Sequence, residues 1–597
     1  MFRNLKIFIE YLRKYRKQFW IGTIALFIVD LLDVTPPLII KYGIDHLGDN
    51  DRDKKLLYAV AAYILVVLIQ AFFRYWMRIG FYGMSLLVGL DLRNKLFAHI
   101  QKLSVSFFNT TKTGDIMSRA TNDIEAVRGF FQHGIFILID NILYFTYVPI
   151  ILLYLSPRLT LYAVLPLLYL PFFANRMGNL IHRRFKDIQE VLSEISAKAS
   201  ENFSGIRVVK SFTQEENEIS GFRNVNVKSY NKNLWLAKLD SFFGPFLGFS
   251  VGVDVFVVIL FGGLLVISGD IKTGTLVAFY MYLRQIAWPM MGMGMVMSNF
   301  QRATASMDRL QEIFQTKPEI VEAAQPVTAF IERGEIEFKN IQFSYPHSLD
   351  RYSGKESART RTPALTDINL KIPAGSTVLV MGPIGSGKST LANLLVRFFD
   401  PSGGDIFIDG VNIRNYSLGR LRGSIGFVPQ DIFLFADTIK ENVLFGVNIG
   451  AANEQSSDVQ VYTGLVQMNE VIEKLPEKYN SLLGERGVNL SGGQKQRLTL
   501  SRAIAKKPSI LILDDCFSSV DFETEQAILN SLKAVLKNRT TLIISHRLAA
   551  VKLAQFIVFM EDGRVVEKGT HQELMTKKGH YARFYEYQKL KESLEGE

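Results

Sequence analysis

Thr377-Val378-Leu379-Val380 leads through Met381 into Gly382-Pro383-Ile384-Gly385-Ser386-Gly387-Lys388-Ser389-Thr390, and an apolar helix-forming run follows. Strand, glycine-rich loop and helix in succession are the setting in which a phosphate-binding loop works. The glycines let backbone N–H groups close around phosphate oxygens, and the helix N-terminus adds the positive end of its dipole. Lys388 is placed to neutralise the outer phosphates, and Ser389 to offer a hydroxyl to Mg²⁺. At average composition the bare pattern arises by chance in about one chain in fifty of this length, so the flanking strand and helix carry the reading.

Further on, Ile510-Leu511-Ile512-Leu513-Asp514 reads as a buried strand ending in a carboxylate. Ligands of open α/β sheets sit at the carboxyl ends of strands, so Asp514 is positioned to hold Mg²⁺ directly or through water. The expected ligands of this half are therefore a nucleotide and Mg²⁺.

The other half of the chain is of a different kind. The 597 residues are 48% hydrophobic, and the long apolar stretches all fall before about residue 300. Six segments are long enough to cross about 30 Å of hydrocarbon: 19–42, 56–79, 135–155, 159–176, 246–267 and 276–298. Residues 2–17 carry Phe2, Leu5, Ile9 and Leu12 at helical spacing beside a basic cluster, which predicts a helix on the membrane surface. The gaps at about 80–134 and 177–245 are long, polar and rich in helix formers, and read as helices continuing past the membrane.

Charge orients the chain. Up to residue 18 there are six Lys/Arg against one Glu, and residues 176–238 hold eleven Lys/Arg. The short loop 45–55 holds three, with four Asp. Basic loops stay in the cytoplasm, so the N-terminus and both extensions are expected there, and six crossings return the soluble part to the same side. The net charge of +11 then matches anionic lipid headgroups rather than nucleic acid, and no nucleic-acid partner is expected. A single cysteine, Cys516, excludes an intrachain disulfide and a cysteine-rich metal site; it reads as a small buried residue. The first basic residues lead into a long apolar segment without a cleavage site, as in a retained helix.

Leu490-Ser491-Gly492-Gly493-Gln494 resembles the signature of the ATP-binding cassette (ABC) family, and other elements follow in that family's order. Tyr345 resembles the aromatic that stacks on adenine. Gln430 resembles the glutamine that touches Mg²⁺ and senses the membrane domain, and His546 the switch histidine at the γ-phosphate. Gly484-Glu485-Arg486-Gly487 resembles an exporter-specific loop, and Ser519-Val520-Asp521 the loop that meets the opposite cassette. Segments near 113–127 and 211–222 resemble coupling helices. The fold class implied is multidomain: an all-α six-helix transmembrane domain with long cytoplasmic extensions (1–314), a linker (315–333) and an α/β P-loop cassette with a helical subdomain (334–590). The resemblance implies ATP-driven export by alternating access, with the signature of one chain closing on ATP held by the other. It also implies a second half-transporter as partner, in a bacterial inner membrane.

One position departs from the pattern. The residue after the Mg²⁺-binding Asp is usually Glu, which polarises the attacking water; here it is Asp515, one methylene shorter. Displacing a reactive group by about 1 Å can cost about 100-fold in rate. The expectation is a slow own site within a heterodimer, alongside an intact signature that serves the partner. Asp30, Asp33, Asp140 and Asp254 lie in or near spans, where carboxyls face a cavity or a partner such as Arg74 or Arg78. Phe72, Phe145, Tyr147, Phe256 and Tyr280 are candidate cavity aromatics, with lipid contact or packing as the default reading. Amphipathic drugs or lipids are the expected cargo. A peptide exporter and an ATP-gated channel or regulatory subunit are the alternatives.

Overall fold

The structure is a computed structural model that describes residues 2–167, 170–345, 363–447, 459–484 and 487–595. The polar stretch 347–362 and the pair Glu485 and Arg486 lie outside the described residues. The chain forms two compact units, one of Met1–Ala98 with Met117–Phe314, the other of His99–Ile116 with Gln315–Glu597.

The first unit is helical. Phe2–Lys14 is a helix of its own, separated from the first span at Tyr15. Its Phe8 is buried against Phe130 and Phe131, while Leu5 and Ile9 remain exposed. The first predicted span is two helices, Arg16–Asp33 and Thr35–Asp45. Pro36 and Pro37 account for the joint: proline lacks an N–H and its ring is tolerated only in a helix's first turn.

Arg52–Ile100 is one helix of 49 residues and Glu215–Ile267 one of 53. At 1.5 Å per residue they run about 74 Å and about 80 Å. Each therefore outlasts the roughly 30 Å of a bilayer core by far. Among the described residues, four helical stretches are long and apolar enough to cross: Arg16–Asp45, Arg52–Ile100, Thr113–Leu155 and Gly248–Ile267. The other two predicted spans lie within Pro157–Leu167 with Leu170–Ser204, and within Thr273–Gln315.

Polar contacts stitch the helices. Asp33 accepts from Gln70 Nε2 at 3.0 Å, Arg74 Nη2 at 3.0 Å and Tyr144 Oη at 3.2 Å. Asp30 and Asp140 are buried beside it, and Asp254 is buried on its own helix. In the extensions, Asp123 accepts from Ser306 Oγ and from Arg309, both on Thr273–Gln315. Arg119, one turn before Asp123, pairs with Glu312 at 3.1 Å.

The second unit holds two sheets. Strands β1 (Ile336–Phe343), β2 (Leu365–Ile372), β4 (Gly403–Ile408) and β5 (Val411–Asn412) form an antiparallel sheet in the order β2-β1-β4-β5. Strands β3 (Thr377–Met381), β6 (Ile425–Val428), β7 (Ile510–Asp514), β8 (Thr540–Ile544), β9 (Phe556–Glu561) and β10 (Arg564–Gly569) form the order β10-β9-β3-β8-β7-β6, parallel except for β10. Every residue of β3, β7 and β8 is buried, as a parallel sheet covered on both faces requires. Alternate side chains feed two cores. Val378, Val380, Ile510 and Ile512 pack toward the antiparallel sheet, while Leu379, Met381, Leu511 and Leu513 pack toward the helices.

Residues 99–116 pack with this unit. Ser106 Oγ donates to Glu319 Oε2 at 2.6 Å, Ser104 Oγ accepts from Glu319 N at 2.9 Å, and Val105 packs against the core, as Val327 does. The cassette-bound stretch thus begins before the expected segment 113–127. Segment 211–222 covers the turn between Ile206–Ser211 and Glu215–Ile267 and the first two turns of the latter helix, in the first unit.

Candidate functional site: a phosphate loop and its carboxylates

β3 runs between β8 and β9 and delivers the glycine-rich loop to the carboxyl edge of the sheet. Gly382 has φ +148°, and a Cβ there would lie 2.0 Å from Met560 O. Gly387 has φ +93° and would meet Ala364 O at 2.7 Å. Only glycine fits where the backbone itself closes in this way. Gly385 is also left-handed but faces open space, and Ile384 is exposed at the loop tip.

Helix Lys388–Leu395 starts from this loop. Lys388 is buried, and its ammonium donates to Gly382 O at 2.9 Å, Pro383 O at 2.7 Å and Ser386 Oγ at 3.3 Å. Burial holds Lys388 down at about 8, with Asp514 and Asp515 pulling the other way. Asp514, at the end of β7, is pushed up by burial, while a hydrogen bond from the Ser389 hydroxyl opposes the rise. The two groups expected to take Mg²⁺ are therefore adjacent. A hydroxyl and a carboxylate oxygen suit a hard cation that takes one or two protein ligands and completes its shell with phosphate and water.

Asp515 and His546 line one groove of about 840 Å³ with Ser518, Val520, Asp521 and Arg547. Asp515 has φ +49°, and its N–H donates to Ile544 O at 2.9 Å, which ties it to β8. Burial and the Lys388 charge lower the His546 pKa, with Asp515 opposing, so its imidazole is neutral at neutral pH. Tyr345 donates or accepts a hydrogen bond with Thr390 Oγ1 at 3.0 Å and packs on Phe343 and Phe399. Gln430 is exposed, two residues past the end of β6.

The signature forms a separate cluster. Ser491 caps helix Gly492–Ala505, accepting from Gln494 N at 3.3 Å, while Gln494 Oε1 accepts from Ser491 N at 2.9 Å. This reciprocal box leaves the first turn of the helix ordered. A Cβ on Gly493 would lie 2.6 Å from Ser519 O, so this glycine lets the helix rest on the 518–521 loop. The structure brings together residues 382–390, Asp514, Asp515 and His546, and it groups 491–494 with the 518–521 loop instead.

Sequence reasoning missed two side chains that hold that loop, and the carboxylate that pairs with one of them. Gln496 Nε2 donates to Ser518 Oγ at 2.7 Å, and Gln496 Oε1 accepts from Ser519 N at 2.9 Å. Arg547 reaches the same loop and the buried Glu525. No motif marks a side chain whose role is to hold backbone carbonyls; only the position of Arg547, directly after His546, points to it.

A phosphate loop on a covered parallel sheet, joined in one chain to helices that outlast a bilayer, defines an ATP-binding membrane transporter. Residues 19–290 match the family of the ABC transporter transmembrane region, and residues 365–518 match the ABC transporter family proper. The chain belongs to the ABC transporters, and it is of the exporter type.

It is similar to the probable multidrug resistance ABC transporter ATP-binding/permease protein YheI of Bacillus subtilis, 34% identical over 100% of this chain and 99% of the relative. It is also similar to the ATP-dependent lipid A-core flippase of Syntrophus aciditrophicus, 32% identical over 98% of this chain and 94% of the relative. A solved bacterial Atm1-family ABC exporter with ATP bound superposes with a TM-score of 0.78 at 25% identity, covering 96% of this chain and 99% of that one. The protein is thus an integral protein of the bacterial inner membrane with its ATP-binding domain in the cytoplasm. It is a transporter of the ATP-hydrolysing class.

Proposed function

We propose that this chain is one half of a heterodimeric exporter that moves amphipathic small molecules, drugs or lipids, across the membrane by alternating access. The relatives named for multidrug resistance and for lipid A-core flipping support that cargo class. The observation that carries the heterodimer is Asp515. It stands beside an otherwise complete set, in which Ser389 and Asp514 are hydrogen-bonded at the end of β7 and Lys388 is held in the loop.

In this reading Lys388 and the loop N–H groups bind the phosphates, and Tyr345 stacks on adenine. Ser389 and Asp514, with Gln430, hold Mg²⁺, which when bound neutralises charge on the transferring phosphoryl group. The neutral His546 donates a hydrogen bond at the γ-phosphate. Asp515 orients the attacking water, at short reach and therefore slowly. The capped helix N-terminus at Ser491, Gly492 and Gly493 closes on the phosphate of ATP held by the partner. ATP bridging the two cassettes turns the membrane halves outward, and hydrolysis at the partner's site resets them.

Reconstitution tests this. Inverted vesicles containing the chain with a second half-transporter should take up an amphipathic dye or lipid in an ATP-dependent way. Uncoupled ion conductance without uptake would replace transport with a channel. Full turnover by this chain alone would remove the heterodimer.

A further inference from the structure

We propose that Arg547 is a positioning residue that fastens the 518–521 loop to the switch-histidine turn, so that the state of one ATP site reaches the other. Its guanidinium makes three contacts at once. Nη1 donates to Val520 O at 3.1 Å and to Glu525 Oε2 at 2.6 Å, and Nη2 donates to Ser518 O at 2.9 Å. The Glu525 side chain is 2% exposed. A buried carboxylate needs its charge partner, so Glu525 pins the guanidinium, and the guanidinium pins the two loop carbonyls.

The opposite side of the loop is gripped by Gln496, itself buried on the signature helix. The loop is therefore held between the helix that presents the signature and the turn that presents His546. It follows Asp515 of one ATP site by three residues and ends at Asp521, whose side chain caps helix Phe522–Leu536. A displacement of the backbone at His546 carries Arg547 with it, because the two are covalent neighbours. Arg547 must then carry the carbonyls of Ser518 and Val520. A planar fork with fixed donor directions transmits such a shift, whereas a flexible ammonium on a four-carbon stem does not.

The inference rests on the placement of His546 at the γ-phosphate proposed above. The test uses the assembled transporter and compares Arg547→Lys, Gln496→Leu and His546→Ala in ATPase assays across ATP concentration. Arg547→Lys keeps a charge for Glu525 but loses the fork. It should lower kcat by about tenfold while KM for ATP moves by less than about twofold, and the Hill coefficient should fall toward unity. Gln496→Leu, which releases the same loop from its other side, should do the same, and carries the test if the arginine variant does not assemble.

A purely structural Arg547 predicts less folded protein, with kcat per assembled transporter, KM and Hill coefficient unchanged; that result overturns the proposal. A raised KM at constant kcat also overturns it. If His546→Ala leaves both the ATP affinity of this chain's own site and the Hill coefficient unchanged, the site placement and this inference fall together. If His546→Ala lowers the Hill coefficient while the loop variants do nothing, the inference alone falls.

Discussion

The ammonium of Lys388 donates to the carbonyl oxygen of Gly382 at 2.9 Å, so the loop's cation is held by the loop's own first glycine. Phosphate oxygens would exchange these neutral acceptors for charged ones. Charge-assisted hydrogen bonds of that kind are worth about 1.5–3 kcal/mol. Lys388→Ala should therefore weaken ATP binding by roughly 10- to 100-fold, read by fluorescence titration of the assembled protein. Unchanged affinity would remove Lys388 from the phosphate site.

The same lysine gives a pH dependence. Burial lowers it to about 8 in the free site, so its proton is lost as pH rises through that value. Bound phosphates favour the charged form, so binding must take up a proton above that point. ATP affinity should then fall with rising pH, by up to about tenfold per unit above about pH 8, and stay flat between about pH 7 and about pH 7.5. Affinity that rises with pH over this range contradicts the buried ammonium.

Gly493→Ala isolates the signature from the phosphate loop. The added Cβ would sit 2.6 Å from Ser519 O, a backbone atom that cannot swing aside. The helix start must move off the 518–521 loop. Turnover of the assembly should drop by at least about tenfold, while ATP binding at this chain's own loop, measured with Lys388→Ala as the zero, stays within about twofold. Equal loss of both would place Gly493 in the nucleotide-binding site of its own chain.

Topology can be read against a clean background. The single cysteine, Cys516, is buried, and burial pushes its thiol well above the ordinary value, so it resists labelling. Cysteines introduced at 48–52 or 269–272 should react with an impermeant reagent from outside. One at Glu215 should react only after the membrane is opened. Outside labelling at Glu215 would invert the arrangement.

Much of the architecture was legible because it is local. The strand before Gly382 and the carboxylate after Leu513 are read from runs of a few residues, whereas the helix joint at Val34 falls inside what reads as one span, 19–42. Which of the four span carboxyls meets Arg74 or Arg78 is not legible in the sequence, because residues 41 apart meet only through helix packing; Asp33 is the one that pairs with Arg74. Within the first extension, 80–134, the residues that pack with the second unit are 99–116, which overlap the segment 113–127 only at its start. Ser104 Oγ accepts from the N–H groups of Glu319 and Ile320, Ser106 Oγ donates to the Glu319 carboxylate, and serines in a polar stretch carry no periodic signal. The grip of Arg547 and Gln496 was invisible for the same reason: its acceptors and donor are mostly backbone groups, which every residue possesses.

Asp33 also offers a test of packing in the first unit. Asp33→Leu would leave Arg74 and the hydroxyl of Tyr144 without their acceptor, and should lower the unfolding temperature of the detergent-solubilised protein. Adding Arg74→Met should recover part of that loss, because the orphaned charge goes with it. A double variant no more stable than Asp33→Leu would show that the pair does not interact.

The last prediction concerns Asp515. Its backbone is held in the left-handed region with its N–H on Ile544 O, so the carboxylate starts from a fixed point beside Asp514. From that point an aspartate reaches one methylene less far than a glutamate. Asp515→Glu should bring the carboxylate to the attacking water and raise turnover, or change how turnover couples to transport. Asp515→Asn should cost less than about threefold, because in this reading most hydrolysis occurs at the partner's site. Ser491→Ala or Gly492→Asp should cost at least about tenfold, because this chain's signature completes that faster site. The contrast follows from one chain lending different parts to two sites. ATPase assays on the purified assembly decide it. If Asp515→Asn abolishes turnover and the chain is fully active as a homodimer, Asp515 is an ordinary catalytic carboxylate and the asymmetric reading is wrong.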